Sequence, residues 1–339
     1  QLARHFSSVD QLDESIYAFR RATELDGHNP QTRYALAANL SKRAQSIGLA
    51  SPESNACLNE AISHLQAILE YSPNHVEAWA LLGYIQMYRS RFAEAEIAVQ
   101  RTLKLAPDHV PSLINHSSLL IKRNQFKLAE KALLQAAELA PAHAWVHYNL
   151  GQLYAKTAKI DQALSSTRKA FSLAPDNKDI LDGLLLQLVY TDNVSDEEKF
   201  DLHREYAKIT KETADKKYHR NTPILERKIK VGFVSGDFVH SSLMYIAFPL
   251  FEKIDREKFS LFFYHNGNQF DAISKQLQGI ADDEWRFTKG LDAETMAALI
   301  QDDKIDILLD LAGHTEHNFL STFAKKPAPI QATWGAYPA

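Results

Sequence analysis

Apolar residues recur through the first half of the chain at helical spacing, in blocks of a single length. Pro73, Pro107, Pro141 and Pro175 stand 34 residues apart, and so do Ala61, Ala95, Ala129 and Ala163. Six places after each proline comes a large residue: Trp79, Leu113, His147 and Leu181. This pattern predicts two antiparallel helices per block. Alanines at the crossing points let the helices of a hairpin approach closely, and the large residues fill the space between neighbouring hairpins. Proline stops the second helix, since it lacks an amide donor and restricts the residue before it. An earlier block is expected to end at Pro30, with Ala18 in the matching place. The surplus between Pro30 and Pro73 falls at Ser46 to Asn55, where Gly48 and Pro52 predict a longer loop. Five blocks result, covering residues 1 to 178, the first beginning close to Gln1.

Helical patterning continues through Ile180 to Leu186 and breaks at Thr191-Asp192-Asn193. Ser195 and Glu198 then read as the N-cap and capping-box partner of a helix running to about Ala214. A charged stretch with Asn221-Thr222-Pro223 places a boundary, so residues 179–224 are expected to form a helical connector and 225–339 a separate domain. From Lys228 the period changes. Strands are predicted at Ile229 to Val234, Phe259 to Tyr264, Ile305 to Leu311 and Ile330 to Trp334, and helices at Ser242 to Lys253, Asp271 to Ile280 and Asp292 to Asp302. Such alternation indicates a doubly wound sheet that takes ligands at the carboxyl ends of its strands. Those ends are Ser235 to Ser241 and Gly313 to Asn318.

Composition narrows the chemistry. Lysine and arginine number 38 against 42 acids, a formal charge of -4, which leaves no surplus to grip a nucleic-acid backbone. No apolar run is long enough to span a bilayer. The single cysteine, Cys57, precludes an intrachain disulfide and fits a reducing, cytoplasmic setting. The chain starts at Gln1, not Met, and reads as a piece of something longer. His240, His314 and His317 lie with Asp237 and Glu316 in the two loops, but without the spacing of a metal site. Neither a G-x-G-x-x-G turn nor a G-x-S-x-G elbow is present, so nicotinamide, flavin and serine-hydrolase chemistries are not indicated.

Trp79-x-x-Leu82-Gly83 and Leu150-Gly151-x-x-Tyr154 resemble the opening of a tetratricopeptide repeat. Arrays of such repeats offer a peptide-binding groove. Asn115 and Asn149 share one position on the helix lining it. Their amides can pair with an extended peptide backbone, or simply face water. The order of parts is more specific. Leu202-His203-Arg204-Glu205, then Val231-Gly-Phe-Val-Ser-Gly-Asp-Phe238, then Ile305-Asp-Ile-Leu-Leu-Asp-Leu-Ala-Gly-His-Thr315 through to Trp334 resemble the bacterial and SPINDLY-like branch of the protein O-GlcNAc transferase family.

The resemblance implies a tetratricopeptide α-solenoid followed by a Rossmann-like doubly wound lobe of a GT-B glycosyltransferase. It implies inverting transfer of N-acetylglucosamine from UDP-GlcNAc to Ser or Thr of a polypeptide held by the repeats, without metal or other cofactor. Some relatives transfer fucose. The family pattern D-F-x-x-H, laid on Asp237 and Phe238, puts its catalytic histidine at Ser241, whereas His240 stands one residue early. His240 fills that role only if the backbone adjusts. Asp237, Ser241, His314 and Thr315 are the expected substrate-binding residues of the lobe, with His314 shaping its loop. The motif W-x-G-Y-P-x-T appears altered as Trp334 to Ala339, and the nucleotide-holding lobe is expected to be missing, so that this chain transfers nothing by itself. The sugar nucleotide is a partner if that lobe is present. The alternatives are a non-catalytic peptide-binding adaptor with a degenerate half-domain, and a free-standing glycan or nucleotide binder.

Overall fold

The structure is a computed structural model that describes residues 12–47, 51–210, 221, 227–267, 269–281, 284–315 and 317–335. The start of the first repeat, Gly48, the end of the connector helix at Ala214, Thr222-Pro223, Glu316 and residues 336–339 lie outside that description. Two compact units make up the chain, Gln1–Ala174 and Pro175–Ala339.

The first unit is a tetratricopeptide solenoid built from α1 (Leu12–Leu25), α2 (Pro30–Ile47), α3 (Pro52–Tyr71), α4 (Val76–Tyr88), α5 (Phe92–Leu105), α6 (Val110–Lys122), α7 (Phe126–Leu139), α8 (Ala144–Lys156) and α9 (Ile160–Leu173). Ala61, Ala95, Ala129 and Ala163 are all buried, as their shared period requires. Gly83, Ser117 and Gly151 occupy another shared position, and at Gly83 and Gly151 the second helix of the hairpin passes close by. A Cβ at Gly151 would sit 2.0 Å from Thr167 Oγ1. Between the helices of three of the hairpins, Ser90, Asn124 and Ala158 adopt left-handed φ values of 58°, 58° and 57°. The residue six places after the proline has a polar task as well as a packing one. Trp79 Nε1 donates to the Pro73 carbonyl at 2.8 Å, and His147 Nε2 makes the same bond to Pro141 at 2.7 Å. Leu113 has no donor, and Gln135 Nε2 reaches the Pro107 carbonyl instead, at 3.2 Å.

Two expectations at the first repeats are corrected. Pro30 is the first residue of α2, where a missing N–H costs nothing, so it does not mark the end of the preceding helix. Gly27 holds the turn position, and the buried small residue of α1 is Ser15 rather than Ala18. The surplus residues also extend helices instead of building a long loop. α2 and α3 have 18 and 20 residues, against 13 and 14 in α4 and α5, and Ser51 with Pro52 starts α3 as N-cap and first-turn proline.

The second unit opens with α10 (Lys178–Leu188) and α11 (Asp196–Thr210), the helices expected as a connector. β1 (Ile229–Ser235), α12 (Ser242–Lys253), β2 (Phe259–His265), α13 (Ala272–Ile280), β3 (Trp285–Phe287), α14 (Ala293–Asp302), β4 (Ile307–Asp310), α15 (Leu320–Ala324) and β5 (Ile330–Thr333) follow. The strands form one parallel sheet in the order β3-β2-β1-β4-β5. Its two faces carry separate cores: Val231, Phe233, Phe251, Leu261 and Phe263 on one side, and Val234, Phe262, Tyr264, Met296 and Leu308 on the other. β3 and α15 are additions to the predicted elements, too short to carry a period. The order reverses between β1 and β4, so the carboxyl ends of those two strands flank the crevice where open α/β sheets take ligands.

Candidate functional site

The loop after β1 is braced from four directions. Ser235 Oγ accepts from the Asp237 N–H at 3.0 Å, and Ser241 Oγ donates to the Asp237 carbonyl at 3.0 Å, so the loop closes with Asp237 and Ser241 together. Phe238 is fully buried, with ring centroids 5.4 Å from Phe263 and 5.8 Å from Trp285. Its carbonyl accepts from Ser274 Oγ at 2.7 Å, and the His240 N–H donates to Asp271 Oδ2 at 2.7 Å. That donor and those of the first turn of α13 hold the Asp271 carboxyl below its usual range. Ser241 caps α12, its side chain accepting from Met244 N–H. His240 therefore stands immediately before a helix start, exposed, with its Nε2 3.1 Å from the Tyr245 hydroxyl.

The loop after β4 is built around two carboxylates. Asp310 is fully buried and accepts from the N–H groups of Ala312 at 3.1 Å and Gly313 at 2.9 Å, a turn that Gly313 completes with φ 55°. Burial pushes the Asp310 carboxyl up. Thr315 Oγ1 donates to the Ala312 carbonyl at 2.7 Å. His314 is buried and turns away from the sheet, toward α10 and α11: its Nδ1 is 2.6 Å from Asp182 Oδ1, and its ring meets Tyr206 edge-on at 4.7 Å and His203 at 5.4 Å. Asp182 also accepts from Lys178 Nζ at 2.6 Å, and from the Tyr206 hydroxyl and Asn318 Nδ2 at 3.4 Å each. Burial alone would raise this carboxyl, but the His314 and Lys178 contacts outweigh it and its pKa lies low. The same burial, with Asp182 beside it, drives the Tyr206 phenol far upward. Asn266 Nδ2, from the loop after β2, donates to the His317 carbonyl at 3.0 Å.

His240 and His314 thus belong to separate clusters. Asp237 and Ser241 share the first, Thr315 lies in the second, and Asn115 and Asn149 lie on α6 and α8 of the solenoid. The Asn149 amide is engaged, donating to the Trp145 carbonyl at 2.7 Å and accepting from Ser118 Oγ at 3.4 Å. Among the described residues, no group of three or more His, Cys, Asp or Glu side chains is placed to hold a metal, and no helix is long and apolar enough to cross a membrane. Sequence reading missed Asp182, Tyr206, Asp271, Tyr245 and His265. His265 is fully buried at the end of β2, its Nε2 donating to the Gln269 carbonyl at 2.8 Å, and burial pushes its pKa down. The neighbouring Gly267 leaves room for this packing, since a Cβ there would lie 2.1 Å from the Gly236 carbonyl oxygen.

Comparison with known proteins matches residues 201–339 to glycosyl transferase family 41, and residues 58–113, 110–143 and 146–177 to tetratricopeptide repeats. A barley (Hordeum vulgare) protein named a probable UDP-N-acetylglucosamine–peptide N-acetylglucosaminyltransferase SPINDLY is 34% identical over 168 residues, which are 48% of this chain and 18% of that one. Its Arabidopsis thaliana counterpart is 32% identical over 169 residues, again 48% and 18%. Among solved structures, a mutant O-GlcNAc transferase of Thermobaculum terrenum aligns with a TM-score of 0.71 and 27% identity, over 77% of this chain and 50% of that one. The chain therefore spans half of that structure, and its matches cover less than a fifth of the plant relatives.

Proposed function

We propose that this chain, in which tetratricopeptide repeats lead into a glycosyl transferase family 41 region, belongs to the protein O-GlcNAc transferase family and is the acceptor-holding array and first lobe of a protein glycosyltransferase. The reaction is transfer of N-acetylglucosamine from UDP-GlcNAc to a Ser or Thr hydroxyl, in a two-lobed GT-B enzyme working in the cytoplasm. The polypeptide lies along the solenoid, and Asn115, whose amide is not tied to its own helix in the way that of Asn149 is, contributes more to backbone pairing. What supports the reading most is the sheet's reversal between β1 and β4, two paired strands of which one leads into the braced Asp237 to Ser241 loop and the other into Gly313 to Thr315.

At that crevice the residues divide the work. His240 is the base that takes the acceptor proton as the diphosphate leaves, its ring steadied by the Tyr245 hydroxyl. Asp237 and Ser241 shape the loop that presents it. Thr315 and the backbone of the second loop face the donor sugar, and the chemistry calls for no metal. Ligand-observed NMR on the protein with its full reading frame tests this reading. Saturation transfer should reach both a Ser/Thr-containing peptide and UDP-GlcNAc, with the peptide signal weakened by Asn115→Ala and the nucleotide-sugar signal by changes in the second unit. Binding of neither at millimolar concentration would contradict it.

A further inference from the structure

Asp182 lies on α10, 132 residues before His314, and nothing in the transferase reading assigns it a task. Its surroundings are unusual for a helix residue. An ionised carboxylate offers about four acceptor positions, and four donors converge on this one: His314 Nδ1 and Lys178 Nζ at 2.6 Å, and the Tyr206 hydroxyl and Asn318 Nδ2 at 3.4 Å. Two of those donors belong to the loop after β4, one to α10 and one to α11. The side chains of Asp182 and His314 are 10% and 7% exposed, so water does not compete strongly for either. Lys178 also lies 3.9 Å from Asp179, and the His203 ring faces His314.

We propose that Asp182 is a positioning residue of the crevice, fixing the tautomer and orientation of His314 and, through Asn318, the set of Thr315. The chemistry follows from the donors. Surrounded by a lysine ammonium and three other donors, the carboxylate stays ionised and can only accept, so the proton between it and His314 resides on Nδ1. Nε2 is then the nitrogen that carries the lone pair when the ring is neutral. α10 and α11 are on this account part of the lobe's working site and not a spacer. What the loop presents to a nucleotide sugar rests on the transferase reading, whereas the tautomer does not.

The test uses the whole chain with isotope-labelled histidine rings, the His314 signal being identified by its loss in His314→Gln. Long-range proton–nitrogen correlation in the native chain should show the proton on Nδ1, protected from solvent exchange. An Nε2–H tautomer there overturns the proposal without any further variant. In Asp182→Asn, whose amide can donate as well as accept, the population should move toward Nε2–H, as replacing the carboxylate of a catalytic triad does. Asp182→Glu should return it toward Nδ1–H. Circular dichroism confirms that each variant is folded, and an unchanged tautomer in folded Asp182→Asn overturns the proposal. Added to the protein with its full reading frame, UDP-GlcNAc should shift the Thr315 and Asn318 amide signals, and that shift should be lost in Asp182→Asn. If the tautomer responds as expected but UDP-GlcNAc moves no signal, the positioning role is supported and the transferase reading is what fails.

Discussion

The repeat array carries histidines where helices begin, and the one at His109 makes its stability depend on pH. His75, His109 and His143 recur every 34 residues, each the N-cap of the first helix of a hairpin, and Asn177 continues the series. His75 Nδ1 accepts from the Ala78 N–H at 3.2 Å and His109 Nδ1 from the Ser112 N–H at 3.3 Å, whereas His143 makes no such bond. A side-chain cap contributes about 0.5–1 kcal/mol at the lower end of measured values, so His75→Ala with His109→Ala should cost about 1–2 kcal/mol. For a unit of this size that lowers the melting temperature by about 2–8 °C. His143→Ala, in the same repeat position but without a cap, is the control and should change little. An imidazolium has no lone pair at Nδ1, so acid removes the His109 cap as well. Burial pushes His109 below its ordinary value, with Glu77 opposing weakly. The unfolded chain then binds the proton more readily, so the contribution is complete above the unfolded value near 6.5 and is lost as pH falls through the folded one. Asparagine keeps the cap at every pH, as Asn177 does with the Ile180 N–H at 3.1 Å. Thermal melts by circular dichroism at pH 7.5 and pH 5 should therefore show a smaller acid-induced drop for His109→Asn than for the native chain. An equal drop in both proteins would refute the reasoning.

Other consequences can be checked the same way. Gly151→Ala should destabilise the array by about 1–3 kcal/mol through overpacking against Thr167, whereas Ala158→Gly should stabilise it by about 1 kcal/mol by relieving a left-handed backbone, both read by denaturant melts. Burial would raise the Asp306 carboxyl, but hydrogen bonds from Arg227, Asn221 and the Lys230 N–H bring it down to about 2. Asp306 should thus add at most about 2 kcal/mol that is present above pH 4 and lost as pH falls toward 2, an acid sensitivity that Asp306→Asn removes. Asp271→Ala releases the His240 N–H, and its effect should appear as faster amide exchange across Asp237 to Ser241 with the sheet still folded.

Much of this architecture is legible in the sequence, because close helix contacts and strand burial are written in small residues and β-branched runs at fixed spacing. The 34-residue period located the later hairpins from Ala61 onward, and the runs at Ile229 and Phe259 located the central strands. Pro30 misled because proline suits both the first turn of a helix and the turn after one, and only the backbone distinguishes them. β3 has three residues and is recognised by its pairing with β2, not by any pattern of its own. The candidate site is harder to read than the fold. Asp182 finds His314 across 132 residues, and Asp271 finds His240 across 31, so neither partner lies within a local motif. The histidine caps are not legible in the sequence for a chemical reason: imidazole is an uncommon cap, and its role depends on which nitrogen holds the proton.

The most direct test of the central claim is a transfer assay with radiolabelled UDP-GlcNAc and a Ser/Thr peptide library, using the protein with its full reading frame. Label should enter Ser or Thr side chains, with transfer lost in His240→Ala and reduced in Asp182→Asn. Absence of transfer from UDP-GlcNAc by a folded, peptide-binding protein would contradict the account.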